Sequence, residues 1–299
     1  MSHFGRILIV GASGQVGREL QRSFAGTGEL LCVDRESVDL AVEDQVRKLV
    51  YREQPDMILN AAAYTAVDRA ESEPEVAMAI NAMAPRVLAE EARRREILLV
   101  HYSTDYVFDG LKKGPWVESD TPNPLNTYGA SKLAGENAIQ EVGGKYLIFR
   151  TSWLYGPHGN NFLLTMLRLG KERERLSIVN DQIGAPTTSL DLADATRKIV
   201  EGVSSGRLGS PQDWAGIYHV TSAGSTSWYG FAEHIFSQTA VTGKPRPAIT
   251  PIQSSDYPTA AVRPRNSILS NEKLKQKMGI ELPPWQGALE KVLAKLSSH

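Results

Sequence analysis

The sequence predicts an α/β protein built on a doubly wound parallel sheet, with a smaller lobe in its C-terminal part. Three observations favour this fold class. An apolar run at Arg6–Val10 leads straight into a glycine-rich turn, strand-like and helix-like stretches then alternate to about residue 150, and the later sequence becomes rich in aromatic, amide and proline residues. Because parallel strands carry ligands at their C-terminal ends, we expect the functional residues to follow the strands.

The bulk composition is that of a soluble globular protein. Of 299 residues, 41% are hydrophobic and 22% are charged, and 33 basic against 34 acidic residues leave a formal net charge of -1. Such a balance gives no electrostatic basis for binding nucleic acid or a membrane surface. No apolar run reaches the roughly 20 residues of a membrane helix. The single cysteine, Cys32, lies in an apolar run, so we expect a buried thiol in a protein of the reducing cytoplasm.

The first element is a strand, a glycine turn and a helix. The turn reads Gly11-Ala-Ser-Gly14-Gln15-Val16-Gly17, and an amphipathic helix follows at residues 18–25. Glycines in this position let the backbone turn tightly and approach a pyrophosphate, which then lies on the helix N-terminus. The turn, with Gln15 and Val16, therefore predicts dinucleotide binding, although three glycines could also form only a tight loop.

The second strand, residues 30–33, ends in Asp34 and Arg35. A carboxylate at this spacing favours the 2′-hydroxyl of NAD, whereas a guanidinium can pair with the 2′-phosphate of NADP. The choice between NADH and NADPH therefore stays open, and both residues could instead begin a polar loop. Asp39 and Leu40 could border the adenine pocket.

The third strand, Met57 to Leu59, leads into a run of small residues. Ala61, Ala62, Ala63 and Thr65 follow it. Small side chains at the end of a strand let a flat ligand lie close to the backbone, so we expect this run to contact the cofactor. A long helix is predicted from Pro74 to Arg95.

The fourth strand, residues 97–102, ends in Ser103, Thr104 and Asp105, and a helix is predicted from 127 to 142. On that helix Tyr128 and Lys132 are four residues apart and share one face. A lysine near a tyrosine favours the phenolate, so we expect the pKa of Tyr128 to be lowered. The pair by itself is common by chance in soluble helices.

The fifth strand, residues 146–150, closes the regular alternation. A helix at about 189–201 and a strand at 217–221 continue the sheet later in the chain. We therefore predict a dinucleotide-binding domain from residues 1–152 plus about 186–222, and a smaller second lobe from about 153–185 plus 223–299.

Several segments together resemble the extended short-chain dehydrogenase/reductase superfamily, whose fold is Rossmann-like, and within it the dTDP-4-dehydrorhamnose reductase family. Besides the glycine turn and the Tyr-x-x-x-Lys pair, the likeness rests on segments 60–68, 101–109, 149–153, 159–162 and 263–267. It covers nearly the full length of the chain. The resemblance implies NADPH- or NADH-dependent reduction of the C4 keto group of dTDP-4-dehydro-L-rhamnose to dTDP-L-rhamnose.

The resemblance also implies roles for matching residues. Tyr128 would protonate the C4 oxygen, Lys132 would hold the nicotinamide ribose, and Thr104 would donate to the same oxygen. Substrate contacts would come from Thr104, Asp105, Trp153, Asn161 and Arg263. Sugar-nucleotide dehydratases carry a second carboxylate at the position of Tyr106, so its phenol favours reduction over dehydration.

Three further expectations follow from the resemblance. The alternatives are a non-catalytic regulatory subunit of a methionine adenosyltransferase and a related NDP-sugar epimerase. A homodimer is compatible with the family. Magnesium at a dimer contact is left open, because Glu19 matches one acidic position whereas Leu190, next to Asp191, stands at another; we therefore assign no metal ligand.

Overall fold

The computed structural model describes residues 4–239 and 246–297. The strands are β1 (Arg6–Val10), β2 (Glu29–Val33), β3 (Met57–Asn60), β4 (Leu98–Thr104), β5 (Tyr146–Thr151), β6 (Leu154–Tyr155), β7 (Arg175–Val179), β8 (Ile183–Gly184), β9 (Thr187–Thr188), β10 (Gly216–His219), β11 (Thr226–Ser227), β12 (Ala248–Ile252) and β13 (Asn266–Ser267). The helices are α1 (Gln15–Phe24), α2 (Glu43–Glu53), α3 (Val67–Ala70), α4 (Pro74–Met78), α5 (Ala84–Arg94), α6 (Thr127–Val142), α7 (Phe162–Glu172), α8 (Ser189–Ser204), α9 (Pro211–Trp214), α10 (Trp228–Thr239), α11 (Glu272–Met278) and α12 (Trp285–Ser297).

The central feature is a six-stranded parallel sheet in the order β10-β5-β4-β3-β1-β2. The chain moves from β1 outward to β2 and then crosses back to β3 on the other side of β1. The ends of β1 and β3 therefore meet at the point where the winding reverses, which is where ligands bind in open α/β sheets. The predicted doubly wound sheet is confirmed.

Helices cover both faces of the sheet, which explains why its strands are almost continuously apolar. Alternate residues face opposite sides: Ile7 and Ile9 pack in one buried cluster with helices α1 and α8, whereas Leu8 and Val10 pack in the other with α2 and α5. β2 is an edge strand, and its Cys32 is exposed. The prediction of a buried thiol was wrong, because an apolar run on an edge strand is covered on fewer sides.

Residues beyond the sheet build a separate apolar cluster. It is centred on Tyr155, Leu163, Phe231, Trp285 and Leu289. Three small strand groups lie among these later residues: β6 pairs with β9, β7 pairs with β12, and β8 pairs with β11 and β13. Among the described residues, no helix combines the length and hydropathy needed to cross a membrane.

The helix predicted from Pro74 to Arg95 is present but interrupted. Residues Ala79–Met83 form a π-helical turn between α4 and α5. Its Asn81 is fully buried: Oδ1 accepts from the Tyr64 N–H at 2.8 Å, and Nδ2 donates to Ser131 Oγ at 3.0 Å. The bulge thus links the segment after β3 to helix α6, a contact that helical periodicity alone does not reveal.

Candidate active site

The N-terminus of α6 is held against the end of β4, and this places Tyr128. Asn126 caps the helix by accepting from the Gly129 N–H at 2.8 Å, and its amide donates to the Val262 carbonyl at 2.8 Å. A Cβ at Gly129 would lie 2.2 Å from the Tyr106 carbonyl, so glycine permits this close approach. The Tyr106 and Tyr128 rings meet edge to face with centroids 5.6 Å apart.

Tyr128 lies beside the side chains that end β4. Burial raises the pKa of Tyr128 to about 12, a hydrogen bond with Thr104 lowers it, and the nearby charge of Asp105 raises it. The sequence predicted a lowered pKa for Tyr128, and that prediction was wrong. Loss of hydration penalises the phenolate more strongly than any nearby group stabilises it. At neutral pH the phenol therefore keeps its proton, which is the form a general acid requires.

Lys132 is 1% exposed and is oriented by the backbone of β4. Its Nζ donates to the Tyr102 carbonyl at 2.6 Å and lies 3.1 Å from Nε2 of His101. Burial lowers the pKa of Lys132 to about 8, and the carboxylate of Glu136 one turn further along the helix raises it. The sequence brought Tyr128 and Lys132 to one helix face but gave no sign of His101.

Asp105 is a buried carboxyl group immediately after Thr104. Oδ1 accepts from Thr104 Oγ1 at 3.1 Å, and Oδ2 has no hydrogen-bond partner within the described ranges. Burial raises the pKa of Asp105 to about 6, while hydrogen bonds from Ser267 and Thr104 lower it. The carboxyl therefore changes charge close to neutral pH.

The glycine turn lies where the winding of the sheet reverses, between β1 and β3, and meets the small residues after β3. Gly11 has φ +82°, and a Cβ there would lie 2.6 Å from the Ala62 nitrogen; a Cβ at Gly17 would lie 2.1 Å from the Gly11 carbonyl oxygen. These two glycines are required by the packing of β1, β3 and α1. At Gly14 a Cβ would meet the Gly11 oxygen only at 3.3 Å. Gly14 caps α1 without a side chain, which leaves the first-turn N–H groups for an anion.

The other residues predicted for the turn behave differently. Val16 is 7% exposed and packs in the sheet core, so only its backbone faces the turn. Gln15 joins the turn to the later loop by accepting from Asn161 Nδ2 at 3.0 Å. Ala61, Ala62 and Ala63 are half-buried at the end of β3, and Thr65 is exposed.

A cavity of about 540 Å³ runs from the glycine turn to the end of β2, and its lining includes Ser13, Arg18, Cys32, Asp34 and His158. Asp34 Oδ1 accepts from the Glu36 N–H at 3.1 Å, so the carboxylate also shapes the following turn. Arg18 lines the same cavity as Asp34 and was not predicted from the sequence.

The remaining cofactor candidates lie around the turn that follows β2. Arg35 is exposed. Asp39 accepts from the Ala41 N–H at 2.9 Å, and Leu40 packs partly on the sheet core.

Two of the predicted substrate-binding residues are already bonded to other groups of this chain. Asn161 caps α7 by accepting from the Leu164 N–H at 3.0 Å, and its amide nitrogen donates to Gln15 and to loop carbonyls. Arg263 forms a two-pronged ion pair with Asp68, with nitrogen–oxygen distances of 3.1 and 2.7 Å. A diphosphate at Arg263 would have to compete with Asp68.

Trp153 is a fixed side chain. It has φ +49°, and its ring stacks on Trp228 with centroids 3.6 Å apart. A Cβ at Gly184 would lie 2.5 Å from the Trp153 ring, so glycine leaves room for the indole.

The carboxylates considered for magnesium do not fit a metal site. Glu19 is 2% exposed, with Arg22 at 2.6 Å and Lys295 at 3.5 Å, so two cations already neutralise it. Asp191 instead accepts from Thr188 Oγ1 at 2.7 Å at the start of α8. Within residues 4–239 and 246–297, no group of three or more potential metal-binding side chains comes together.

Comparisons with known proteins agree with this geometry. The model of the RmlD substrate binding domain matches residues 5–298. A dTDP-4-dehydrorhamnose reductase of Burkholderia thailandensis is 49% identical over 288 residues, covering 95% of this chain and 96% of that protein. One from Escherichia coli K12 is 46% identical over 296 residues, covering 97% of each.

A solved structure extends the comparison to the fold. The dTDP-4-dehydrorhamnose reductase of Bacillus anthracis, in complex with NADP, is 38% identical and superposes with a TM-score of 0.89, covering 99% of this chain and 100% of that one. The match of the family model and the identity to these relatives extend over nearly the whole chain. The chain therefore belongs to the dTDP-4-dehydrorhamnose reductase family, described by the RmlD substrate binding domain.

Proposed function

We propose that the protein reduces the C4 keto group of dTDP-4-dehydro-L-rhamnose to the alcohol of dTDP-L-rhamnose, with NADPH or NADH as the reductant. The observation that carries the proposal is the hydrogen-bonded pair of Thr104 and a protonated Tyr128 at the end of β4. Relatives that cover nearly the whole chain carry this reductase name, which favours reduction over the regulatory-subunit and epimerase alternatives.

In this proposal the chain supplies the proton and orients the substrate and the cofactor. When bound, the reduced nicotinamide supplies a hydride to C4. Tyr128 donates its phenolic proton to the C4 oxygen, and the phenolate regains a proton from solvent. The Thr104 hydroxyl, which donates to Asp105 Oδ1 in this structure, rotates to donate its hydrogen bond to the C4 oxygen when substrate is bound. Lys132 holds the nicotinamide ribose from its fixed place on α6, where its Nζ is anchored by the Tyr102 carbonyl of β4. A positioned general acid contributes about 100- to 10,000-fold to the rate.

Tyr106 supports reduction rather than dehydration. Burial raises the pKa of this phenol, and the charge of Asp105 raises it further. A phenol that stays protonated cannot remove a ring proton, which is the step that a dehydratase needs. The side chain instead packs edge-on against Tyr128.

The cofactor proposal rests on the glycine turn and the cavity beside it. The N–H groups at the start of α1 would bind the pyrophosphate, and the adenosine ribose would lie near Asp34. Arg18 lines the same cavity as Asp34, and Arg35 follows Asp34 directly in the sequence, so both are candidates to meet a 2′-phosphate. The NADP complex of the Bacillus anthracis reductase supports NADPH as one of the two cofactors.

We also propose that residues 1–152 plus about 186–222 form the dinucleotide-binding domain. The sugar-nucleotide-binding lobe then consists of residues about 153–185 plus 223–299. The separate apolar cluster around Phe231 and Trp285 supports a distinct substrate lobe. Leu274 and Met278 of α11 pack instead on the sheet core, so this helix is better grouped with the cofactor domain. Residues 1–3, 240–245 and 298–299 of these segments lie outside the described part.

Location and assembly belong to the same proposal. A cytoplasmic enzyme fits the balanced charge and the exposed thiol of Cys32, which a reducing compartment would keep free. A homodimer fits the family, and light scattering of the purified protein tests it.

The direct test is turnover. Purified protein is mixed with dTDP-4-dehydro-L-rhamnose and either NADPH or NADH, nicotinamide oxidation is followed by absorbance, and the sugar product is identified by mass spectrometry and NMR. We expect oxidation matched by equal formation of dTDP-L-rhamnose. No oxidation with either cofactor would refute the proposal, and UDP-keto sugars run in parallel define the nucleotide preference.

A further inference from the structure

His101 is a fully buried histidine that connects β3 to the active-site lysine. It lies on β4 opposite Asn60 in the parallel register between β3 and β4. Its Nδ1 is 3.0 Å from the Asn60 amide nitrogen, and its Nε2 is 3.1 Å from Lys132 Nζ. The three side chains form a continuous chain from the end of β3, across β4, to helix α6.

The proton positions in this chain are constrained by chemistry. An ammonium group can only donate hydrogen bonds, so a charged Lys132 requires Nε2 of His101 to be an acceptor. A neutral imidazole with a free Nε2 carries its proton on Nδ1 and must donate there. The acceptor is then Oδ1 of Asn60, which a half-turn of the amide brings to face Nδ1.

The remaining contacts agree with this arrangement. The half-turn would give up only a long contact, the 3.3 Å bond from the Ala62 N–H to Asn60 Oδ1. A doubly protonated imidazole would place two cations together, and burial together with the charge of Lys132 keeps the pKa of His101 well below its usual value. The other acceptor of Lys132, the Tyr102 carbonyl at 2.6 Å, belongs to the same strand.

We propose that His101 is a positioning residue for Lys132: its neutral imidazole accepts from Lys132 Nζ at Nε2 and, as the Nδ1–H tautomer, donates to Asn60. Two of the three Lys132 N–H bonds are then fixed by β4, which leaves one for a ligand. The part played by Lys132 in turnover rests on the proposed function, whereas the hydrogen-bond chain does not.

The tautomer can be measured without turnover. The full-length protein labelled with ¹⁵N-histidine gives ring-nitrogen signals, and His101→Gln identifies the signal of His101 by its loss. We expect a neutral ring with Nδ1 protonated at pH 6 to 7, where Lys132 is charged. Lys132→Met should shift the Nε2 signal, because that nitrogen loses its hydrogen-bond donor. His219→Gln, which changes a second buried histidine, should leave the His101 signals unchanged. An Nε2–H tautomer in the unaltered protein, or no response to Lys132→Met, would overturn the proposal.

Steady-state kinetics provide a second, independent test of the role of His101. His101→Gln retains an acceptor near the position of Nε2, whereas His101→Leu has similar size and none. We expect His101→Leu to lower kcat by up to about 100-fold with a smaller change in KM, and His101→Gln to keep most of the activity. Equal losses in the two variants with matching losses in thermal stability would assign His101 to packing alone. If neither cofactor is oxidised by the unaltered protein, the proposed function fails while the tautomer result still decides the role of His101.

Discussion

Replacing Asp105 with asparagine should raise the stability of the protein relative to the unaltered chain, and this gain should grow as the pH rises from acid to neutral. The Asp105 carboxyl is 3% exposed, and burial raises its pKa from 3.8 to about 6. A raised carboxyl pKa means that the folded state is favoured below pH 3.8 and loses that advantage as the pH rises through 6. The full loss is about 3 kcal/mol, since one pKa unit corresponds to about 1.36 kcal/mol. Asparagine keeps the shape of the side chain and carries no charge.

The assay is urea denaturation of the unaltered protein and of Asp105→Asn at pH 5 and pH 8. The difference in unfolding free energy between the two proteins should shift by about 1.4 kcal/mol in favour of the variant over this range. Because the same difference is measured at pH 5 and at pH 8, any effect of the substitution on hydrogen bonding that does not depend on pH cancels.

Asp68→Asn is the matched control. The ion pair with Arg263 lowers the pKa of Asp68, so this carboxylate is charged in both the folded and the unfolded chain from pH 5 to 8. Its effect on stability should therefore stay constant across that range. A flat difference for Asp105→Asn, or one that favours the unaltered protein at pH 8, would show that the Asp105 carboxyl is not desolvated as the structure indicates.

Three further outcomes are expected. Tyr128→Phe should lower kcat by about 100- to 10,000-fold while cofactor affinity, measured by fluorescence titration, stays nearly unchanged; an equal loss of cofactor binding would make the residue structural. Arg35→Ala should weaken NADPH more than NADH, as judged from the two dissociation constants, and an unchanged ratio would leave Arg18 as the candidate for the 2′-phosphate. Gly17→Ala should lower the melting temperature far more than Gly14→Ala, because its Cβ would lie 2.1 Å from the Gly11 oxygen rather than 3.3 Å; similar melting temperatures would contradict this packing.

The sequence by itself determined the features that depend on local pattern. The strand, glycine turn and helix around Gly11, the parallel sheet and the shared face of Tyr128 and Lys132 all follow from short-range periodicity and turn chemistry. Motif wording added the family, and the comparisons confirm it. These features are encoded within a few residues of one another, so reading along the chain recovers them.

Only the tertiary structure decided the environment of each candidate group. It paired Arg263 with Asp68, used Asn161 as a helix cap, and put Arg18 in the cavity near Asp34. Apart from the Asn161 cap, which is local, these contacts join segments whose pairing cannot be read from either segment alone.

The pKa of Tyr128 shows most clearly that the environment of a group cannot be predicted from its neighbours in the sequence. Helix spacing correctly placed Lys132 one turn from Tyr128. In the folded chain, however, the pKa of the Tyr128 phenol is raised, and Lys132 forms its hydrogen bonds with Tyr102 and His101. Desolvation depends on every atom that surrounds a group, and those atoms come from β4 and the turn that follows it. Spacing along the helix therefore determined where the two groups lie, whereas only the packing of distant segments decided their charge and partners.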